Sequence, residues 1–193
     1  MDQGIRIRRA GQEDSAILAE IVRQSFQDVA ARFGLTRLNC PRHPSNCDVS
    51  WVAADMRRGV SYALLDCAAL PVGCVALERS TADLCFLERL SVLPLWRGKG
   101  YGGTLVRHAL EQARMQGCRT VSIGIIAAQQ ELAQWYRRLG FVPQETRIFP
   151  HLPFEVLFLT RDVTAASVFP LGPRRSPAPE RRGEATENPS QGS

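Results

Sequence analysis

Apolar and polar positions along the chain follow two periods, and the switch between them marks out the elements. Ile5 to Arg9 reads as a short strand. From Asp14 to Phe33 apolar residues fall at Ile17, Leu18, Ile21, Val22, Phe26, Val29 and Phe33, the three-to-four spacing of one helix with a buried stripe. The prolines in Asn39-Cys40-Pro41-Arg42-His43-Pro44-Ser45-Asn46 exclude a helix there and bias the residues before them to extended backbone. Trp51 to Arg58 forms a short second helix that stops at Gly59. Ser61–Asp66, Val72–Glu78 and Leu84–Leu93 are strand-type runs. Their short connections, at Ala69-Leu70-Pro71 and Ser80 to Asp83, predict antiparallel neighbours. Gly100 to Gln116 is helical, with Leu105, Val106, Ala109, Leu110 and Ala113 on one stripe and Gly117 at its end. Thr120–Ile126 is an apolar, β-branched strand, and Gln130–Leu139 is a helix ended by Gly140. Glu145–Phe149 and Glu155–Arg161 pair around Pro150-His151-Leu152-Pro153. The order predicts an α/β (α+β) fold, a mixed sheet with helices packed on it.

From Thr164 onward Pro, Ser, Arg, Glu and Gly dominate, and such a stretch buries too little apolar surface to offset its ordering entropy. The expectation is therefore one domain over residues 5–162 and a disordered tail over 163–193. A hydrophobic fraction of 45% is ample for one core. The net charge of +5 is mild and scattered, which argues against nucleic acid as a partner. No apolar run reaches membrane-spanning length, and Met1 to Ala10 lacks the apolar core of a signal peptide. A cytoplasmic location follows as the expectation, with the six cysteines as reduced thiols.

Lys99 is the only lysine in the chain, and it sits inside Arg97-Gly98-Lys99-Gly100-Tyr101-Gly102-Gly103. Closely spaced glycines let main-chain N–H groups approach an anion, and the start of a helix adds partial positive charge. A phosphate or pyrophosphate is the natural ligand. A P-loop is excluded, because it needs glycine at position 93 and Ser or Thr after Lys99, where the chain has Leu93 and Gly100. A dinucleotide fold wants an acidic residue at the end of the next strand, and that strand ends Ile125-Ile126-Ala127-Ala128.

Leu90-Ser91-Val92-Leu93-Pro94-Leu95-Trp96-Arg97-Gly98-Lys99-Gly100-Tyr101-Gly102 resembles the acetyl-CoA motif of the GNAT N-acetyltransferase superfamily, whose R-x-x-G-x-G core matches Arg97, Gly100 and Gly102. Glu131 to Phe141 resembles a later helix of that superfamily ending in Tyr-x-x-x-Gly-Phe. The resemblance covers about residues 5 to 162 and implies a central sheet of six to seven strands flanked by about four helices. It also implies acetyl-CoA as co-substrate, with no metal. Main-chain amides of Arg97, Gly98, Lys99, Gly100, Tyr101 and Gly102, with the helix end after them, would hold the pyrophosphate, and main chain at Leu90, Ser91 and Val92 would pair with the pantetheine arm like an added strand. Many members open the later helix with an asparagine; here Gln129 and Gln130 occupy that region, and either amide is open as its substitute.

Acyl transfer to an amine needs a base, because an alkyl ammonium with a pKa near roughly 10 must lose a proton first. In a regular strand Leu84, Phe86, Glu88, Leu90 and Val92 share one face, which makes Glu88 a lone carboxylate on an apolar stripe. Desolvation there raises its pKa toward that of a working base. Glu88 also matches the strand position at which many members carry an acid that acts directly or through water. The alternative is a structural carboxylate paired with Arg89 or Arg79. Tyr136 matches the tyrosine that the family places near the cofactor sulfur, as proton donor to the leaving thiolate, with plain core packing as its alternative. In the family, the segment holding Arg42, His43 and Ser45 and the last hairpin loop holding His151 line the acceptor site. Cys40, His43 and Cys47 lack a fourth ligand for zinc. The function implied is transfer of acetyl to a primary amine, on a small molecule or a peptide, by direct attack. A non-catalytic acyl-CoA-binding or sensor module of the same fold is the alternative. Dimerisation is common in the superfamily, though no residue here demands it.

Overall fold

The computed structural model describes residues 4–164, so the expected tail lies outside the described residues apart from Val163 and Thr164. Seven strands form one sheet: β1 (Ile5–Arg9), β2 (Ser61–Cys67), β3 (Leu70–Arg79), β4 (Leu84–Val92), β5 (Thr120–Ile126), β6 (Val142–Ile148) and β7 (Glu155–Asp162). Their spatial order is β1-β2-β3-β4-β5-β7-β6. Every neighbouring pair is antiparallel except β4 with β5, which run parallel. The helices are α1 (Ser15–Ser25), α2 (Gln27–Phe33), α3 (Val49–Arg57), α4 (Tyr101–Met115) and α5 (Gln130–Arg138).

Both faces of the sheet are covered, which is why β2 reads as an almost unbroken apolar run. Ala63, Leu65 and Cys67 face one core with Leu105, Val106 and Ala109 of α4 and Ala133 and Tyr136 of α5. Tyr62 and Leu64 face the other core with Leu18, Ile21 and Val22 of α1 and Val52 of α3. A third small cluster under α2 joins Ala30, Leu35 and Cys40 to Ile126 at the end of β5.

Four expectations need correction. The helix predicted from Asp14 to Phe33 is two helices, because the backbone leaves helical geometry at Phe26 (φ −108°, ψ 4°). The Ser25 carbonyl there accepts from the Arg97 guanidinium at 2.6 Å, a partner 72 residues away. The β6 strand starts at Val142, directly after α5 and its glycine turn, rather than at Glu145. Pro143 is tolerated within it because β6 is the sheet's edge. Cys85 and Cys118 form a disulfide, with Cα atoms 6.3 Å apart, where β4 and the segment entering β5 lie side by side. Cys40, Cys47 and Cys74 are buried free thiols, and Cys67 is buried as well. Finally, β4 does not alternate regularly, and that irregularity shapes the site.

Candidate active site

β4 pairs with β5 only over Leu84–Phe86 and Thr120–Ser122. Beyond that the strands part, and the β5-facing edge of β4 has no strand partner. On its other side β4 bulges: Cys74 pairs with Ser91 and Ala76 with Glu88, so one residue of β3 opposes two of β4. Arg89, within the bulge, takes φ +50°. The extra residue changes the facing of the strand. Cys85 and Leu87 pack into the core under α4, and so do Leu90 and Val92. The apolar stripe expected through Glu88 to Val92 is therefore broken, and Glu88 shares a face only with the residues before it. The parted strands frame a cleft of about 930 Å³, lined by Phe86 to Leu90 and Val92, Ile123 to Ile126 of β5, and Leu132, Trp135 and Tyr136 of α5.

At the end of β4 a short 3-10 turn, Pro94–Trp96, leads into the glycine loop. Gly98 (φ +75°) and Gly100 (φ +84°) take left-handed backbone that only glycine adopts cheaply. A Cβ at either would meet nothing within 4 Å, so the backbone there is open to an incoming group. The first bond of α4 runs from Thr104 N–H to Gly100 C=O. The N–H groups of Tyr101, Gly102 and Gly103 thus have no acceptor within the helix. Gly102 lies against Trp135, whose ring would stand 3.4 Å from a Cβ at that position.

The side chains of this loop mostly turn elsewhere. The Arg97 guanidinium donates to Asp28 at 2.5 Å, to the Ser25 carbonyl and to the Val92 carbonyl at 3.1 Å, tying the loop to the α1–α2 junction. Arg97 holds the Asp28 carboxyl below its ordinary range through that hydrogen bond, against the opposing effect of desolvation. Lys99 sets its ammonium over the Trp96 ring at 4.6 Å, and the Tyr101 hydroxyl lies 3.4 Å from the Cys67 sulfur. Ser91 is buried and donates to the Arg89 carbonyl at 3.0 Å. The N–H groups of Tyr101, Gly102 and Gly103 are thus left without a helix acceptor, while the Arg97 guanidinium is engaged by protein oxygens.

Glu88 and Tyr136 line the same cleft. Desolvation among the cleft walls pushes the Glu88 carboxyl up from its ordinary value; Arg89 opposes this, and Glu78 and Asp55 add to it. Arg89 does not pair with Glu88. It reaches through the sheet to Asp55 at 2.7 Å, with the Cys47 sulfur 3.6 Å away. Tyr136 is buried, its ring edge-on to Trp135 (4.8 Å) and Phe141 (5.4 Å). Burial raises the phenol pKa, so the hydroxyl stays protonated through the neutral range. Gln129 lines the cleft, whereas the Gln130 amide donates to the Ala127 carbonyl at 2.8 Å. Arg42 and His43 also line it. His151 is exposed beside Phe149 (5.8 Å) and is not among the lining residues. Cys40, His43 and Cys47 do not gather as a ligand set, since the His43 Nδ1 faces Ser45 and Cys47 faces Arg89. A smaller cavity of about 310 Å³ against Tyr62, His108 and Gln112 holds none of the candidate catalytic residues. Sequence reasoning missed Asp28 and Trp135 as cleft residues. Asp28 gave no local signal, while Trp135 sat inside the matched helix.

Residues 50–143, which hold the glycine loop and α5 up to the turn after it, match the acetyltransferase (GNAT) domain model. The chain belongs to the GNAT acetyltransferase superfamily. Among similar proteins is an uncharacterized N-acetyltransferase of Escherichia coli, YjgM, 28% identical over 148 residues, covering 70% of this chain and 80% of that protein. The GNAT fold recurs in yncA from Salmonella typhimurium, a putative acetyltransferase solved with its cofactor acetyl-CoA. Its TM-score is 0.63 at 19% identity, over 84% of this chain and 96% of that one. It recurs also in the ribosomal-protein-S18-alanine N-acetyltransferase of Escherichia coli, with a TM-score of 0.67 at 13% identity, over 86% and 97% of the two chains. Among the described residues no helix is long and apolar enough to cross a membrane.

Proposed function

We propose that this GNAT chain moves an acetyl group from acetyl-CoA to a primary amine by direct attack within a ternary complex. The observation that carries the reading is a cleft with Glu88 and Tyr136 on its walls along the unpaired β4 edge, reached through Arg97 by a glycine loop whose main-chain N–H groups at the start of α4 have no acceptor within the helix. These features fit the cofactor. The N–H groups after Gly100 suit its diphosphate, and the open edge past Phe86 suits a pantetheine arm added as a strand.

Bound acetyl-CoA supplies an acyl thioester, activated for attack by nitrogen. The chain supplies the rest. Glu88, with a raised pKa, takes the ammonium proton directly or through one water, which frees the nitrogen lone pair. The new C–N bond forms as the C–S bond breaks. Tyr136, protonated and with its hydroxyl making no hydrogen bond among the described residues, donates to the departing sulfur. Main-chain N–H near Val92 stabilises the developing oxyanion. Cys85 and Cys118 are bonded to each other and offer no thiolate, which favours direct attack over a covalent acetyl-enzyme. Gln129 contacts the pantetheine, and Arg42 and His43 face the acceptor, with His151 at the outer rim.

Isothermal calorimetry of the full chain with coenzyme A tests the reading, followed by thiol release from acetyl-CoA with an amine panel. Binding with turnover supports the transferase. Binding without turnover on any amine supports the sensor alternative, and no heat of binding removes both.

A further inference from the structure

The acceptor end of the cleft is built around a histidine whose polarity the structure fixes. His43 is only 6% exposed, yet it lines the cleft. Its Nδ1 accepts the Ser45 main-chain N–H at 3.3 Å and lies 2.8 Å from the Ser45 hydroxyl. A nitrogen that accepts from a main-chain N–H carries its lone pair there, so the ring proton sits on Nε2. Phe26 packs edge-on against the ring at 5.8 Å, and burial lowers the imidazole pKa, which keeps it neutral. Nε2–H has no acceptor among the described residues. With Nδ1 turned to Ser45, it is the polar atom left for the cleft.

Two guanidinium groups share this wall. Arg42 is exposed and stacks over Trp51 at 5.1 Å, and Arg32 of α2 lies over the Phe33 ring at 5.4 Å. Neither has a carboxylate within ion-pair distance among the described residues. Phe154 and Phe158 give the cleft an apolar flank. A neutral N–H donor beside unpaired guanidinium groups is complementary to a carboxylate. The cleft also carries the carboxylates of Asp28, paired with Arg97, of Glu131 and of Glu88, so the wall of Arg32 and Arg42 disfavours an amine locally while Glu88 receives it.

Resting on the transferase reading above, we infer that the acceptor is a free amino acid with an apolar body. Its carboxylate is held by the His43 Nε2–H and Arg42, its body lies against Phe154 and Phe158, and its amine is turned to Glu88. The bonds made and broken are those of the proposed transfer.

The test compares three amines of one skeleton on the full chain with saturating acetyl-CoA: phenylalanine, phenylalaninamide and phenethylamine. The expected result is a kcat/KM for the free acid about tenfold or more above the other two, the scale of a charge-assisted hydrogen bond. Arg42→Ala brings the acid down to the level of the amide, and Arg42→Lys restores part of the gap. Binding of the three N-acetylated products to the chain saturated with coenzyme A gives the same order without requiring turnover. Equal use and equal binding of the three overturn the inference. So does preference for the amide, which would point to a peptide N-terminus, or an acid preference that survives Arg42→Ala. Failure of coenzyme A to bind is read in a separate titration and counts against the transferase reading; the three N-acetylated products are then compared on the chain alone, and their order still decides the carboxylate.

Discussion

Glu88→Gln removes a base while keeping the shape of the side chain, and its consequence follows from the proton inventory of the reaction. An alkyl amine with a pKa near about 10 is neutral to roughly one part in a thousand at pH 7, and that fraction grows about tenfold per pH unit. An enzyme with Glu88 ionised takes the ammonium form and strips it. Its kcat/KM is therefore flat once the pH exceeds the raised Glu88 pKa. The Gln variant must wait for amine that is already neutral. The wild-type to variant ratio should be of order 10³ at pH 7, within the usual range for general-base catalysis, and fall about tenfold per unit toward pH 10. Stability supplies an independent reading. A carboxyl whose folded pKa lies above its unfolded value binds more protons folded than unfolded, so stability drops as pH rises through that interval. Above both values the charge is a burden that glutamine lifts, and the variant should melt at or above the wild-type temperature at pH 7.5. Initial rates by thiol release between pH 6.5 and 9.5, with scanning calorimetry at the same pH values, make the comparison. A ratio that stays constant with pH, together with a lower melting temperature, would refute the base and make Glu88 structural.

Arg97→Ala removes hydrogen bonds to Asp28 and Ser25 and should cost about 1 kcal/mol at neutral pH, at the low end for charged pairs because both partners are partly exposed. Since Arg97 depresses the Asp28 pKa, that part of the deficit is present above the ordinary carboxyl pKa and shrinks as pH falls through the Asp28 titration; a deficit that does not change between pH 7 and 3 would contradict the pairing. Gly100→Ala meets no atom within 4 Å, so its cost of about 1 kcal/mol is that of a left-handed backbone, and coenzyme A affinity measured by calorimetry should fall with it. Tyr136→Phe keeps the packing on Trp135 and Phe141, so melting should be unchanged while turnover drops about 10- to 100-fold; full activity would return Tyr136 to the core alone.

The two periods of apolar residues were enough to read the type and order of most elements, because those that face a core bury a stripe, whereas the edge strand β6 buries none and its start was misplaced. The glycine loop was equally legible, since left-handed backbone at Gly98 and Gly100 leaves glycine as its trace. The failures share a different cause. The break at Phe26 coincides with a hydrogen bond from Arg97, and nothing within Asp14 to Phe33 announces it. The bulge in β4 is a two-against-one register, fixed by β3 as much as by β4, so simple alternation carried Leu90 and Val92 to the wrong face. The partner of the Arg97 side chain was equally hidden, since its guanidinium donates to Asp28, 69 residues earlier. Cys85 and Cys118 sit 33 positions apart and meet only because β4 and β5 run parallel.

The bulge also explains why the cleft is supported from the far side of the sheet. Arg89 at φ +50° is a strained choice for a residue with a side chain, costing about 1 kcal/mol. The conformation turns the Arg89 guanidinium away from Glu88 to Asp55 at 2.7 Å, and Asp55 is fixed in turn by the Tyr62 hydroxyl at 2.8 Å and by Arg58 at 2.6 Å. A buried charge that lost its partner would cost more than the strain, so the ion pair holds the backbone in place. Were Arg89 to swing toward Glu88 instead, it would neutralise the carboxylate and lower its pKa. By pairing Arg89 with Asp55, the core beneath α1 and α3 leaves Glu88 without a counter-ion and able to take a proton.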